Sequence, residues 1–203
     1  MDYEELGYAC GVLCGRGFIK RGRNNCVGLH TDKKDLAEQF ASSLRSIIGY
    51  DIAIKEKNIN DKRCFIVNIY GRPLVSVFDG IGFAPTRKKW SLPRTTYENP
   101  EFRSGLLAGY FDSTSFVYLN REKFSVLGSG YRYVRVTSVN PSGLGAIKKL
   151  LSVEGVESNL HISKKGLGYL VIRGNWRLKK FSERVKLRTQ KKNAVNSLLQ
   201  LGS

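Results

Sequence analysis

The chain carries one glycine-spaced apolar segment twice, and that repeat constrains its fold more than any other feature. The first copy reads Leu6-Gly-Tyr-Ala-Cys-Gly-Val-Leu-Cys-Gly-Arg-Gly17 and the second Gly105-Leu-Leu-Ala-Gly-Tyr-Phe-Asp-Ser-Thr-Ser115. The two lie 98 residues apart, Gly7 matching Gly105 and Gly11 matching Gly109. Glycine inside a helix costs about 1 kcal/mol relative to alanine, so clustered glycines in two apolar helices imply a contact that excludes side chains. Gly11 with Gly15, and Gly109 with Ser113, place small residues one turn apart on one helix face. Small residues at that spacing let two helix backbones approach closely. The sequence therefore predicts an interface between the two helices at Gly11, Gly15, Gly109 and Ser113.

The elements C-terminal to each copy also repeat. In the first half, a helix over 4–14 precedes strands at 18–20 and 26–30, with Gly22-Arg-Asn-Asn25 as the turn. Asp32 or Thr31 is placed to cap a helix over 33–48, whose Leu36, Phe40, Leu44, Ile47 and Ile48 share one face before Gly49 stops it. Strands at 52–56 and 64–70, joined by Asn58-Ile-Asn-Asp61, lead to a helix over 73–82 with Pro73 in its first turn. The second half gives a helix over 100–112 and strands at 116–119 (extending toward Val126) and 131–139, turning at Gly128-Ser-Gly130. A helix capped by Asn140 or Ser142 runs through Glu154, strands at 158–163 and 169–173 flank Lys164-Lys-Gly166, and a helix runs over 175–187. The fold class is α+β: two αββαββα repeats with antiparallel sheets. The repeats span 1–83 and 100–187, with a proline-bearing linker over 84–99. A basic tail over 188–203 ends in the apolar residues Val195, Leu198, Leu199 and Leu201, a docked helical turn or a frayed end.

Composition narrows the function. The net charge is +17, from 34 Lys and Arg against 17 Asp and Glu, which points to a polyanionic partner, nucleic acid before an anionic membrane surface. Basic residues divide 16 to 18 about Asn99, so the charge covers both halves and is not a disordered basic tail. No apolar run is long enough to span a bilayer. The acidic start at Asp2, Glu4 and Glu5 is unlike a signal peptide. The four cysteines form no CxxC pair, and the expected setting is a reducing, intracellular compartment. Cys10 and Cys14 are one turn apart and read as small buried residues, not as metal ligands with His30 or His161.

The segment Leu107-Ala-Gly-Tyr-Phe-Asp-Ser-Thr-Ser115 resembles the signature helix of the LAGLIDADG homing endonucleases; the first copy is a looser match. The resemblance extends through the element order over about 4–187. It implies a single-chain, two-motif protein, a monomer, in which the motif helices pack at a pseudo-two-fold axis and two sheets form a saddle on DNA. In that family the eighth motif position is an acid that holds divalent ions for phosphodiester cleavage. Here that position is Arg16 in one copy and Thr114 in the other. Arginine is always cationic and never a metal ligand, and a threonine hydroxyl is a weak sole anchor. Asp112 stands two residues before Thr114, about 200° away around the helix. No catalytic residue, metal or cofactor is therefore expected, and Arg16 becomes a candidate phosphate contact. Mg²⁺ enters only under the alternative of an active endonuclease with displaced ligands.

Candidate nucleic-acid contacts on the sheets and their turns are Lys20, Arg21, Arg23, Lys55, Lys57, Lys62, Arg63, Arg121, Lys123, Arg132, Arg135, Lys164, Lys165 and Arg173. Asn24, Asn25, Asn58 and Asn60 could read base edges. Tyr118, Tyr131 and Tyr133 suit stacking on unpaired bases as well as packing within a sheet. Arg87-Lys-Lys89 and a basic run from Arg177 to Lys192 could add backbone contacts or form a solvated face. The leading expectation is a protein that binds duplex DNA or structured RNA, in a maturase-like or ribosomal-RNA-binding role, without cutting it. A protein–protein module is the remaining reading, and the charge argues against it.

Overall fold

The computed structural model describes residues 1–59, 61–86, 89–119 and 132–200. Asn60, Arg87, Lys88, Arg121, Lys123, Tyr131, Leu201, the turn at 128–130 and the strand extension toward Val126 lie outside the described residues. The first repeat runs α1 (Tyr3–Gly15), β1 (Gly17–Lys20), β2 (Cys26–Thr31), α2 (Lys34–Ile48), β3 (Lys55–Ile59), β4 (Lys62–Tyr70) and α3 (Arg72–Gly80). A short α4 (Thr95–Glu98) sits within the expected linker. The second repeat runs α5 (Pro100–Thr114), β5 (Phe116–Leu119), β6 (Arg132–Ser138), α6 (Pro141–Val153), β7 (Asn159–Ile162), β8 (Gly168–Arg173) and α7 (Asn175–Arg184), and α8 (Lys191–Gln200) comes last. Each repeat holds one antiparallel four-stranded sheet, ordered β1-β2-β4-β3 and β5-β6-β8-β7.

By internal contacts the chain divides into compact units at 1–113 and 114–203. Nearly all of α5 thus groups with the first unit, although it opens the second sequence repeat. The cause is its packing on α1. A Cβ added at Gly7 would fall inside 3.0 Å of the Phe102 carbonyl oxygen, and one at Gly11 would meet the Leu106 carbonyl in the same way. Reciprocally, Gly105 faces the Glu4 carbonyl and Gly109 the Tyr8 carbonyl. Shifting each pair by the 98-residue offset exchanges these contacts, so the sequence repeat is a repeat of contacts. The close approach involves Gly7 and Gly105 in addition to the expected Gly11 and Gly109. Ser113 donates its hydroxyl hydrogen to the Tyr110 carbonyl, and its own carbonyl accepts from Arg16 at the end of α1. Around this contact Leu6, Tyr8, Val12, Phe102, Leu106 and Phe111 are fully buried.

Several expectations need correcting. The strand expected at 52–56 begins at Lys55, because the tight connection to β4 sets the register: Ile59 pairs with Lys62, and Asp61 takes a left-handed φ of 60°. Ile52 is buried outside the strand. Neither Asp32 nor Thr31 is the N-cap of α2; that position is Lys33, without a side-chain cap. The Thr31 hydroxyl oxygen instead accepts from the Lys33 N–H. The second-repeat cap is Asn140, whose Oδ1 accepts from the Gly143 N–H. The chain end is a docked helix: Val195 and Leu198 of α8 are buried, and the Leu198 carbonyl accepts from Arg132 at 2.6 Å.

Candidate nucleic-acid interface

Side chains alternate across a strand, so the pairing registers decide which basic residues share a face. In the first sheet Val27, Leu29, Phe65, Val67 and Ile69 are buried toward the helices. The opposite face carries Phe18 and Lys20 of β1, His30 of β2, Lys62, Asn68 and Tyr70 of β4, and Lys55, Lys57 and Ile59 of β3. Tyr70 is 70% exposed. Four lysines thus stand on one open face, and no strand position on that face is acidic. Fixed polar and aromatic groups lie between them. The Lys20 ammonium sits 5.2 Å from the Phe18 ring centroid, Phe18 meets His30 edge-on at 5.3 Å, and His30 Nε2 hydrogen-bonds Asn68 Oδ1 at 3.3 Å. Gly28 belongs to this cluster, since a Cβ there would strike both Asn68 and Phe18.

Other predicted contacts fall elsewhere. Arg63 points to the side opposite the lysines, beside Glu56 at 3.8 Å, and Asn58 shares that side. Arg21 is held by Asp79 at 2.7 Å and by the Phe83 carbonyl at 3.0 Å, which ties β1 to the end of α3 and the loop beyond it. Asn25 closes its own turn by accepting from the Gly22 N–H, while Arg23 and Asn24 are exposed in that turn.

In the second sheet Val134, Val136, Leu170 and Ile172 are buried. Arg132 shares their face: it is 6% exposed, bound to α8, and therefore not part of the open surface. The open face has three rows across the strands. Tyr118, Tyr133 and Arg173 form the first, Phe116, Arg135, Val171 and Asn159 the second, and Thr137, Tyr169 and His161 the third. Tyr118 and Tyr133 stack at 4.9 Å with planes 16° apart. The Arg135 guanidinium lies 5.8 Å from the Tyr133 ring, 5.9 Å from Phe116 and 6.0 Å from Tyr169. Its Nε is buried without a hydrogen-bond partner among the described residues, and the three ring faces are its neighbours on this face. Lys164 and Lys165 are exposed in the β7–β8 turn. Sequence reasoning missed His30, Asn68, Phe116 and Tyr169 as surface contacts; only strand register, which local sequence specifies weakly, places them on open faces.

Arg16 is the C-cap residue of α1. Its Nε donates to the Ser113 carbonyl at 2.8 Å, its Nη1 lies 3.8 Å from Asp32 Oδ1, and its side chain is 53% exposed. It borders a cleft of about 590 Å³ lined by Cys14, Phe18, His30, Pro85 and Thr86. Asp112 is 2% exposed and its Oδ2 accepts the Tyr8 hydroxyl hydrogen at 3.0 Å. Among the described residues no three His, Cys, Asp or Glu side chains gather in one cluster. Burial raises the thiol pKa of Cys10 and Cys14 far above the free-thiol range, leaving both neutral. No described helix is long and apolar enough to cross a membrane.

Comparison with known proteins supplies the fold's relatives. Residues 101–186 match the LAGLIDADG-like domain family. The chain is similar to I-DmoI in complex with DNA and Mn, at 14% identity and a TM-score of 0.64, covering 91% of this chain and 97% of that one. It is similar to the meganuclease I-SmaMI bound to uncleaveable DNA, at 14% identity and a TM-score of 0.64, over 96% and 89% of the two chains. It is also similar to the N-terminal LAGLIDADG domain of DUF199/WhiA, at 11% identity and a TM-score of 0.61, over 96% and 88%. No curated protein matches it by sequence.

Proposed function

We propose that this chain, which has the LAGLIDADG homing-endonuclease fold, binds nucleic acid on the open faces of its sheets and does not cut it. The observation that carries the reading is the open face of the first sheet, where register gathers Lys20, Lys55, Lys57 and Lys62 and leaves no acidic strand position on that face. Ammonium groups on a sheet surface displace counterions from phosphates, and the polar and aromatic groups between them can meet bases or sugars. The fold's relatives I-DmoI and I-SmaMI are seen with DNA, which supports the same class of partner here.

The divalent metal associated with the fold does not fit the donors present. The motif positions offer a guanidinium at Arg16 and a hydroxyl at Thr114. The neighbouring carboxylate of Asp112 is buried against Tyr8. Hard divalent cations need anionic oxygen ligands for useful affinity, and no step is routed through a metal. Arg16, fixed by Ser113 yet half-exposed, presents positive charge where a metal would otherwise supply it. That role suits holding a phosphate and not activating water. A binding and cleavage assay on the same nucleic acid, with Mg²⁺ or Mn²⁺ added, tests both halves of the reading. Salt-sensitive binding without nicking is expected. Metal-dependent nicking abolished by Asp112→Asn would overturn the non-cutting half; absence of binding at low salt would overturn the whole.

A further inference from the structure

The two open faces differ in kind. The first carries lysines around a histidine–asparagine pair. The second carries a cluster of rings about one guanidinium. Lysines serve any phosphate backbone, paired or not. A ring cluster gives most to bases that are not already stacked within a duplex, since each unpaired base offers a free face. We infer that the open face of the second sheet is a stacking platform for unpaired bases of an RNA, recognised where a loop or bulge displays them. The inference rests on the nucleic-acid-binding reading and specifies its partner.

The geometry supports that occupant at three points. Phe116 is 53% exposed at the sheet edge, a large apolar side chain with an open surface. Beside it Tyr118 and Tyr133 already form a parallel stack, so the rings of this face are arranged as stacking surfaces. Arg135 lies among Phe116, Tyr133 and Tyr169, so its planar cation is placed where it can stack on a base or reach the adjoining phosphate. Arg173 shares the row of the tyrosine pair. Splayed bases stacked on aromatic and arginine side chains are how sequence in RNA loops is commonly read, whereas duplex DNA is read along its grooves. An aromatic cluster on one sheet thus selects for unpaired nucleotides, and the lysine face of the other accommodates a phosphate backbone of either kind.

The test is fluorescence anisotropy of the full chain with four labelled probes: an RNA hairpin with an open loop, the same RNA fully paired, a DNA duplex, and a DNA hairpin matching the first. Phe116→Ala is the main variant, because its ring is exposed and its loss leaves the core intact; Phe116→Trp is the conservative one. Removing one base–aromatic stack corresponds to about a 5- to 150-fold loss of affinity. That loss is expected for the looped RNA with Phe116→Ala and not with Phe116→Trp, while the paired probes change less than about twofold. Equal losses on looped and paired probes, or no loss on any, would overturn the platform while leaving nucleic-acid binding intact. Tight binding of the DNA hairpin, with the same loss, would overturn the RNA assignment. Wild-type protein that binds none of the four would overturn the parent reading as well.

Discussion

Replacing Lys20, Lys55, Lys57 and Lys62 by glutamine removes four charges from one sheet face and keeps most of each aliphatic stem. Each phosphate neutralised by a cation contributes about −0.9 to the slope of log K against log salt. If the four lysines each meet a phosphate, the fourfold variant loses about 3.6 units of slope on duplex DNA. Between about 50 and 200 mM salt, a fourfold rise, those units amount to about 150-fold in affinity. The wild type should therefore weaken about 150-fold more than the variant across that range, read by filter binding or anisotropy at several salt concentrations. Arg63→Gln is the internal control. It removes the same charge one residue along the chain from Lys62, yet register turns it to the other side, beside Glu56. Its slope should stay at the wild-type value. An unchanged slope in the fourfold variant, or a loss in Arg63→Gln as large as in Lys57→Gln, would refute the assignment of the open face.

Other consequences are separately measurable. Gly11→Ala should destabilise the fold by about 1–3 kcal/mol despite alanine's better helix propensity, because the new Cβ collides with the Leu106 backbone; Gly145→Ala, where nothing lies within 4 Å of the added atom, should stabilise α6 by about 1 kcal/mol, both read by urea denaturation. Tyr8→Phe should cost about 1 kcal/mol by withdrawing the hydroxyl from buried Asp112, without creating or abolishing nicking. In the native protein Cys64, half-buried on the lysine face, should react with a thiol reagent before buried Cys10 and Cys14, and bound nucleic acid should slow it. The raised thiol pKa values of Cys10 and Cys14 mean that the unfolded chain ionises first as pH rises. The contribution of these two thiols should not change below about pH 8.5 and should lower stability above it by up to about 1.4 kcal/mol per pH unit for each, measured by denaturation midpoints between about pH 7 and 10 with the Cys10→Ala and Cys14→Ala variants as reference.

The αββαββα order and the close-packed glycine helices were legible in the sequence, because each depends on local periodicity or on glycine's cost inside a helix. The helix stop at Gly49 and the cap at Asn140 were legible for the same reason: both are satisfied within a few residues. Which charges face outward was not legible. Arg132 and Arg135 sit three residues apart on one strand, and the sequence ranks them equally; pairing turns one into the core beneath α8 and the other among open rings. Arg63 and Lys62 are separated in the same way, and Arg21 is drawn off by an aspartate 58 residues away. A sheet's faces are fixed by register between distant strands, and a one-residue slip would exchange them. The sequence by itself therefore determined the architecture and the identity of Arg16 and Thr114 at the ends of the two glycine-bearing helices. Only the tertiary structure decided that one sheet offers lysines and the other an aromatic platform, because that choice belongs to strand pairing and not to any stretch of chain.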